Sequence, residues 1–323
     1  MGRDLANGFS WSKSRHEKLS ECLRAYYFHY YGSWGGWAED GSEEARRLYV
    51  LKRLGNRFTW AGSLAHDAVT SILLRIRRGA EVDSAALIEK VHHTMREDWK
   101  HSAAKAYWRA KRRRDFGGLV EHEYDEEIPK EEWQATWQIV RSAIEWFLSS
   151  RWVPLARSLK PHQWIEVDDK SFDDTSFALD GVRVFAIPDF AYVDADGNPV
   201  VVDWKTGQAR EGYDEQVIGY ALYLSQRYEL RLDRMQAALV YLNDGLERLV
   251  RIDEDSVRAF KAHFSRSVSR MKELLADPGG NVPRDRAAFP LTDDLETCSR
   301  CAFRGACGRA GAAALPAASA EGG

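Results

Sequence analysis

The sequence predicts an α/β or α+β chain built on a mixed sheet, and three observations carry that prediction. Apolar and aromatic residues recur at helical spacing through most of the stretch from Phe9 to about Arg157. After Pro161 the period changes to short runs rich in β-branched and aromatic residues. A helix, a strand pair and a long helix then follow to Leu275, an order that implies strands and helices sharing one core.

Composition bounds the rest. The 323 residues are 44% hydrophobic and 29% charged, ordinary for a globular chain and ample for one large core or two modest ones. A formal net charge of -3 gives no global attraction for a polyanion, so any nucleic-acid binding must come from a local basic surface. No apolar run approaches a membrane span, and Met1 to Ser10 lacks the apolar core of a signal peptide. A cytoplasmic protein with reduced cysteines and no membrane partner is therefore expected.

Taken in order, Phe9 to Tyr31 opens with serines suited to a helix N-cap and places Leu19, Leu23, Tyr26, Tyr27 and Tyr30 at helical spacing, with Cys22 inside that helix. Residues 32–55 read as an aromatic loop. Phe58 to Arg77 reads as a second helix that contains Gly62-Ser-Leu-Ala-His66, where a lone histidine is ordinarily structural. From Val82 to about Arg157 the pattern is helical, with Trp99, Trp108, Trp133, Trp137, Trp146 and Trp152 read mostly as core. Within it, Lys100 to Arg114 is basic with interleaved aromatics and ends in Lys111, Arg112, Arg113 and Arg114. It reads equally as a phosphate-contacting surface, with stacking on Tyr107 or Trp108, or as a solvated face paired with the acidic run Glu121 to Glu127.

Trp164 to Val167, Thr175 to Leu179, Val182 to Val193 and Val200 to Lys205 read as four successive strands. The last two flank Asp194-Ala-Asp-Gly-Asn198. If Ala195-Asp196-Gly197 is a three-residue turn, Asp194 pairs with Asn198 and Asp189 falls opposite Asp203. Opposed residues, and residues two apart on one strand, share a face, so Asp189, Asp203 and Lys205 converge. Two carboxylates this close repel unless they share a proton or a cation, and such oxygen donors suit Mg²⁺ or Mn²⁺. The bland reading is a pair of solvated strand-end acids, and Pro188 argues that the first strand lies at an edge or bulge.

Glu211 to Leu230 reads as a helix with Gln216 and Tyr220 on one face, next to the hairpin in sequence. Met235 to Leu242 and Glu247 to Ile252 form a strand pair across Asn243-Asp244-Gly245, and Asp255 to Leu275 a long helix. Cys298, Cys301 and Cys307 cluster in a chain with only one further cysteine, Cys22. Together they make a metal or iron-sulfur ligand set, with zinc as the generic competitor. The Ala/Gly-rich residues 310–323 read as a disordered tail.

The ordered series Cys22, Gly62-x-x-x-His66, Glu166, Ile187-x-Asp189, Asp203-Trp-Lys205, Gln216-x-x-x-Tyr220 and Cys298-x-x-Cys301-x-x-x-x-x-Cys307 resembles the PD-(D/E)XK nuclease superfamily. It is most like the RecB-type branch with an iron-sulfur cluster, which includes the AddB C-terminal nuclease domain and the small CRISPR-associated four-cysteine exonucleases. The likeness spans about Ser10 to Arg309. It implies a restriction-endonuclease-like α/β core: one domain over 1–309, with a helical insertion at about 78–160, a sheet-containing catalytic core at 161–275, and a cysteine cluster of 298–307 with Cys22.

By the same resemblance, His66, Asp189 and Asp203, with the backbone carbonyl of Trp204, bind the catalytic Mg²⁺ or Mn²⁺. Lys205 orients or activates the attacking water, Gln216 and Tyr220 position the strand and support the lysine, and Glu166 is a possible additional acid. Cys22, Cys298, Cys301 and Cys307 hold a [4Fe-4S] cluster that closes nearly the whole chain, a constraint that offsets on the order of 5 kcal/mol of chain entropy. Two departures stand out: Ala186 where a glycine is common, and Trp204 where Tyr or Phe is usual. The implied activity is hydrolysis of DNA phosphodiesters, on single strands or free ends, alongside a helicase or other repair or defence subunit. The alternative from another class is a non-cleaving, iron-sulfur-stabilised DNA-binding module.

Overall fold

The computed structural model describes residues 7–109, 116–168, 175–208 and 212–309. In the N-terminal part, β1 (Ser10–Trp11) leads into α1 (Lys13–Glu21) and α2 (Leu23–Tyr27), then α3 (Glu43–Leu51), β2 (Leu54–Gly55) and α4 (Arg57–Arg77). Next come α5 (Ser84–Ala103), β3 (Gly118–Leu119), α6 (Val120–Glu123), α7 (Lys130–Ser149) and α8 (Trp152–Ser158). The sheet region holds β4 (Trp164–Val167), β5 (Ser176–Leu179), β6 (Val182–Phe185), β7 (Phe190–Val193) and β8 (Pro199–Lys205). It continues through α9 (Tyr213–Tyr228), β9 (Gln236–Tyr241), β10 (Leu246–Val250) and α10 (Glu254–Glu273), and ends in β11 (Leu275–Asp277), β12 (Val282–Pro283) and α11 (Leu295–Ser299).

The principal sheet runs β10-β9-β8-β7-β4 and is mixed, because β8 and β9 are parallel while the other pairs are antiparallel. The parallel pair needs a crossover, and α9 supplies it. Alternation along β8 sorts its residues between the two faces. Val200, Val202 and Trp204 pack with Phe190 and Tyr192 against α4, α7 and α8. Val201 packs on the other side with Ala191, Ala237 and Leu239 against α9 and α10. The result is a helix–sheet–helix sandwich whose central strand is covered on both faces, as an apolar run such as Val200-Val-Val202 requires.

Several expectations are corrected. The strand read over Val182 to Val193 is two strands in different sheets, since β6 joins β1 and β5 in a three-stranded sheet while β7 joins the principal one. The break falls at Ala186 to Asp189, where Pro188 has no N–H to give to a ladder. The loop read over 32–55 contains α3, capped by Ser42 and opened by Glu43 and Glu44. Cys22 does not lie inside a helix. It adopts extended backbone (φ -161, ψ 118) between α1 and α2 and turns the chain. Among the described residues, no helix is long and apolar enough to cross a membrane. Residues 310–323 lie outside the described residues.

Candidate active site

The β7–β8 hairpin fixes the two carboxylates. Asp194 N–H donates to the Asn198 carbonyl at 2.9 Å, and the Asp194 carboxylate accepts from the amides of Asp196 (3.0 Å) and Asn198 (2.8 Å). Gly197 takes a positive φ of 78°, the conformation that a short turn here requires. The ladder pairs Phe190 with Val202, so Asp189 stands beside Asp203, in the expected register. Asp189 itself lies just before β7, and its Oδ2 accepts the Trp204 amide at 2.7 Å. Backbone geometry therefore aims this carboxylate at the end of β8.

Asp203 is only 2% exposed, and the groups around it come from α9 and from β8 itself. Lys205 Nζ lies 2.6 Å from Asp203 Oδ2 and donates to Gln216 Oε1 at 2.8 Å. Gln216 Nε2 donates to Tyr220 Oη at 2.5 Å, and Tyr220 O–H donates to Asp203 Oδ1 at 3.3 Å. This closed circuit joins four of the residues singled out in the sequence. His66 enters from α4, with Nδ1 at 3.4 Å from Asp189 Oδ1. Gly62, one turn earlier on α4, lets that helix approach, since a Cβ there would stand 3.1 Å from Thr206 Oγ1.

Electrostatics follow from this burial. The Asp203 carboxyl is pushed up to about 6, first by desolvation and then by the charge of Asp189, with Lys205 opposing both. The Tyr220 hydroxyl is raised well above its ordinary value by burial and then by Asp203. Burial alone would lower His66, but the charge and hydrogen bond of Asp189 outweigh it and the imidazole is raised. Asp203 Oδ2 is buried without a well-aligned hydrogen bond and is balanced only by the lysine charge. An unsatisfied buried carboxylate oxygen, a second carboxylate and an imidazole make a donor set that fits a hard divalent cation. Among the described residues, no three His, Cys, Asp or Glu side chains already stand in a metal-holding arrangement.

Glu166 is placed differently. It pairs with Ala191 in the ladder, on the same face as Asp189, but both its oxygens are taken: Tyr223 Oη lies at 3.2 and 3.3 Å and Tyr228 Oη at 3.0 Å. Burial raises its carboxyl. These contacts leave it outside the circuit of Asp203, Lys205, Gln216 and Tyr220. Tyr213 is the residue the sequence reading missed. Its ring lies 4.2 Å from Lys205 Nζ and gives the ammonium a third neighbour. The available signal was its position three residues before Gln216, on the same helix face.

Cys22, Cys298, Cys301 and Cys307 line one small cavity with Ala25, Arg304 and Arg309, and all four are free thiols. The expected iron-sulfur ligand set is not drawn together there, because the thiols share a cavity without forming a metal-holding group. Arg309 Nη1 donates to Cys298 Sγ at 3.0 Å, and the Phe303 amide to Cys301 Sγ at 3.4 Å. Burial pushes the Cys301 thiol up to about 11.

Lys111, Arg112, Arg113 and Arg114 lie outside the described residues. The described part of that stretch pairs with its acidic neighbour: Tyr107 and Trp108 both donate to Glu123 Oε2 at 2.8 Å, and Lys105 pairs with Asp125 at 2.8 Å.

No curated protein matches the chain. The family model of the PD-(D/E)XK nuclease superfamily matches residues 10–308, a span that takes in the hairpin, the α4 histidine, the α9 pair and all four cysteines. The chain therefore belongs to the PD-(D/E)XK nuclease superfamily.

Proposed function

We propose that this protein is a divalent-metal-dependent DNA nuclease that hydrolyses phosphodiesters, acting as an exonuclease on single-stranded or frayed ends. Superfamily membership suggests a metal-dependent phosphodiesterase, and the observation that carries the finer reading is the complete circuit of Asp203, Lys205, Gln216 and Tyr220 beside Asp189 and His66. A degenerate, non-cleaving module would not be expected to keep a buried aspartate beside a second carboxylate, an arrangement that Lys205 offsets only in part.

In this reading Asp189, Asp203, His66 and the Trp204 carbonyl hold Mg²⁺ or Mn²⁺. The bound metal would lower the pKa of a water and polarise the scissile phosphate. The remaining work belongs to the chain. Lys205, held by Gln216 and flanked by the Tyr213 ring, presents a fixed ammonium to the charge that builds on the phosphoryl oxygens. Gln216 and Tyr220 complete the circuit that holds that ammonium in place beside Asp203.

The RecB-type likeness extends the proposal to a [4Fe-4S] cluster, or zinc, on Cys22, Cys298, Cys301 and Cys307. Its support is that all four cysteines line one cavity, with N–H donors aimed at two of the sulfurs. A role beside a motor subunit in repair or defence belongs to the same reading.

The test is an assay of labelled single strands with Mg²⁺ and Mn²⁺, comparing wild type with Asp203→Ala and Lys205→Ala. Both variants should lose cleavage; equal behaviour of all three proteins would end the enzyme reading. For the cysteines, anaerobically purified protein should absorb in the visible range, and a colourless, zinc-loaded protein would replace the iron-sulfur assignment.

A further inference from the structure

Two tryptophans stand exposed in the turns that precede α3. Trp34 is 38% and Trp37 42% exposed, and their rings meet edge to face, 4.8 Å apart at 85°. Trp37 in turn meets Tyr49 of α3 at 5.7 Å and 61°. Exposed Trp faces forgo burial that would otherwise stabilise the fold, so a rigid pair of them is a feature to be explained.

The pair is held rigidly. Consecutive turns are closed by Trp34 N–H to Tyr31 O (2.9 Å), Gly36 N–H to Ser33 O (3.2 Å) and Ala38 N–H to Gly35 O (2.9 Å). Gly36 lies directly on α3, where a Cβ would stand 2.2 Å from the Ala45 carbonyl oxygen. The rings are thus fixed before any ligand arrives, which limits the entropy lost on binding.

Charge of both signs borders the platform: Glu39 and Asp40 follow Trp37, and Arg46 and Arg47 stand exposed in the middle of α3. Glu43 and Glu44 occupy its first turn, and Glu44 is paired with Arg286 at 2.8 Å. Cations gather at its far end: Lys52 Nζ lies 5.2 Å and the Arg53 guanidinium 5.9 Å from the Tyr49 ring. Five residues later α4 begins with Arg57, which is buried and paired with Glu132 beside Phe58, itself 52% exposed, and His66 lies about 13 Å further along that helix by its rise per residue.

We propose that Trp34, Trp37 and Tyr49 form a stacking site for unpaired nucleobases, which anchors a single strand whose phosphates run along Lys52 and Arg53 toward the catalytic cleft. Two rings at right angles make a corner in which a base stacks on one face and meets the other ring with its edge. Bases inside a duplex have both faces covered, so the site selects unpaired strand. The inference rests on the nuclease reading, which supplies the polyanionic ligand.

The test is equilibrium binding of fluorescein-labelled oligothymidylate to the full chain in EDTA, followed by anisotropy. Base–aromatic stacking corresponds to about 5- to 100-fold in affinity per base, so the double variant Trp34→Ala, Trp37→Ala should bind at least about tenfold more weakly. Trp34→Leu, which keeps apolar bulk without the flat ring, should also lose affinity, whereas Trp37→Phe should keep most of it. An abasic strand of equal length should bind wild type and the double variant alike. Affinity for oligothymidylate unchanged in the double variant, or an equal loss on the abasic strand, overturns this site. If wild type cleaves strands and the double variant binds them as well as wild type, only this inference falls; if wild type neither binds nor cleaves, the nuclease reading falls with it.

Discussion

The candidate catalytic cluster and the cysteine cavity are assembled in opposite ways. The first is written into backbone pairing: a hairpin register sets Asp189 against Asp203, and one crossover helix brings Gln216 and Tyr220 to Lys205. The second depends on the two ends of the chain meeting, with Cys22 turned out of its helix and three cysteines arriving from beyond α10. Polar side chains on a rigid ladder can be exchanged one at a time without disturbing the ladder. Thiols that gather only through packing stand or fall together with that packing.

This contrast has consequences that can be broken or sharpened by experiment. The largest effect is expected at the cysteines. If they share one metal centre, Cys298→Ser opens a loop of nearly the whole chain and lowers stability by about 5 kcal/mol, read as a shifted urea midpoint. Chelation of the wild type should then reproduce the variant. A Cys298→Ser midpoint equal to wild type would mean that packing alone holds the two ends together.

At the catalytic cluster the same logic predicts lost chemistry with retained fold. Asp203→Asn should lower cleavage about a thousandfold, within the range for loss of a group that stabilises developing charge, and should keep the fold with a small shift in melting temperature, because the carboxylate desolvation it relieves is set against the Lys205 charge it leaves unpaired. Loss of folding in this variant would show that the Lys205 charge needs Asp203 to be tolerated. Gln216→Ala is the smaller probe. It frees Lys205 from one partner and should reduce kcat about tenfold with little change in KM, measured by single-turnover and steady-state cleavage.

A further effect, confined to acid pH, is a loss of stability that originates beside the cysteine cavity. Burial, then the charge of Lys52, pushes His29 down to about 3. Between the usual imidazole value and that point the unfolded chain binds a proton that the folded chain does not. Stability is therefore fully present above about pH 6.5 and falls as pH drops toward 3. His29→Gln should flatten this slope in urea unfolding across pH 4 to 7.

Much of the site was legible because its signals are local. The Asp194 to Asn198 turn fixes a register that can be counted by hand, and Gln216 and Tyr220 follow from helix periodicity. What escaped depends on tertiary context. Pro188 announced a break, but the reassignment of β6 to a second sheet comes from its pairing with β1, which no local pattern encodes. Cys22 looks helical by its neighbours and is extended because of where the chain must turn. The helix α3 was missed although Ser42 with Glu43 and Glu44 is an ordinary helix start, because the surrounding glycines and tryptophans dominated the pattern. Tyr213 was missed because its partner is an ammonium on another element.

The short connection from β8 to α9 also bears on the order in which the site comes apart. Lys205 and Gln216 are eleven residues apart, so their contact closes a small loop and re-forms readily after local opening. His66 meets Asp189 across most of the first two thirds of the chain, through a different helix on the opposite face of the sheet. A partial opening that loosens α4 would therefore strip the imidazole from the carboxylates while the lysine circuit persists. In hydrogen-exchange terms, the amides of α4 should report the loss of catalytic competence before those of α9.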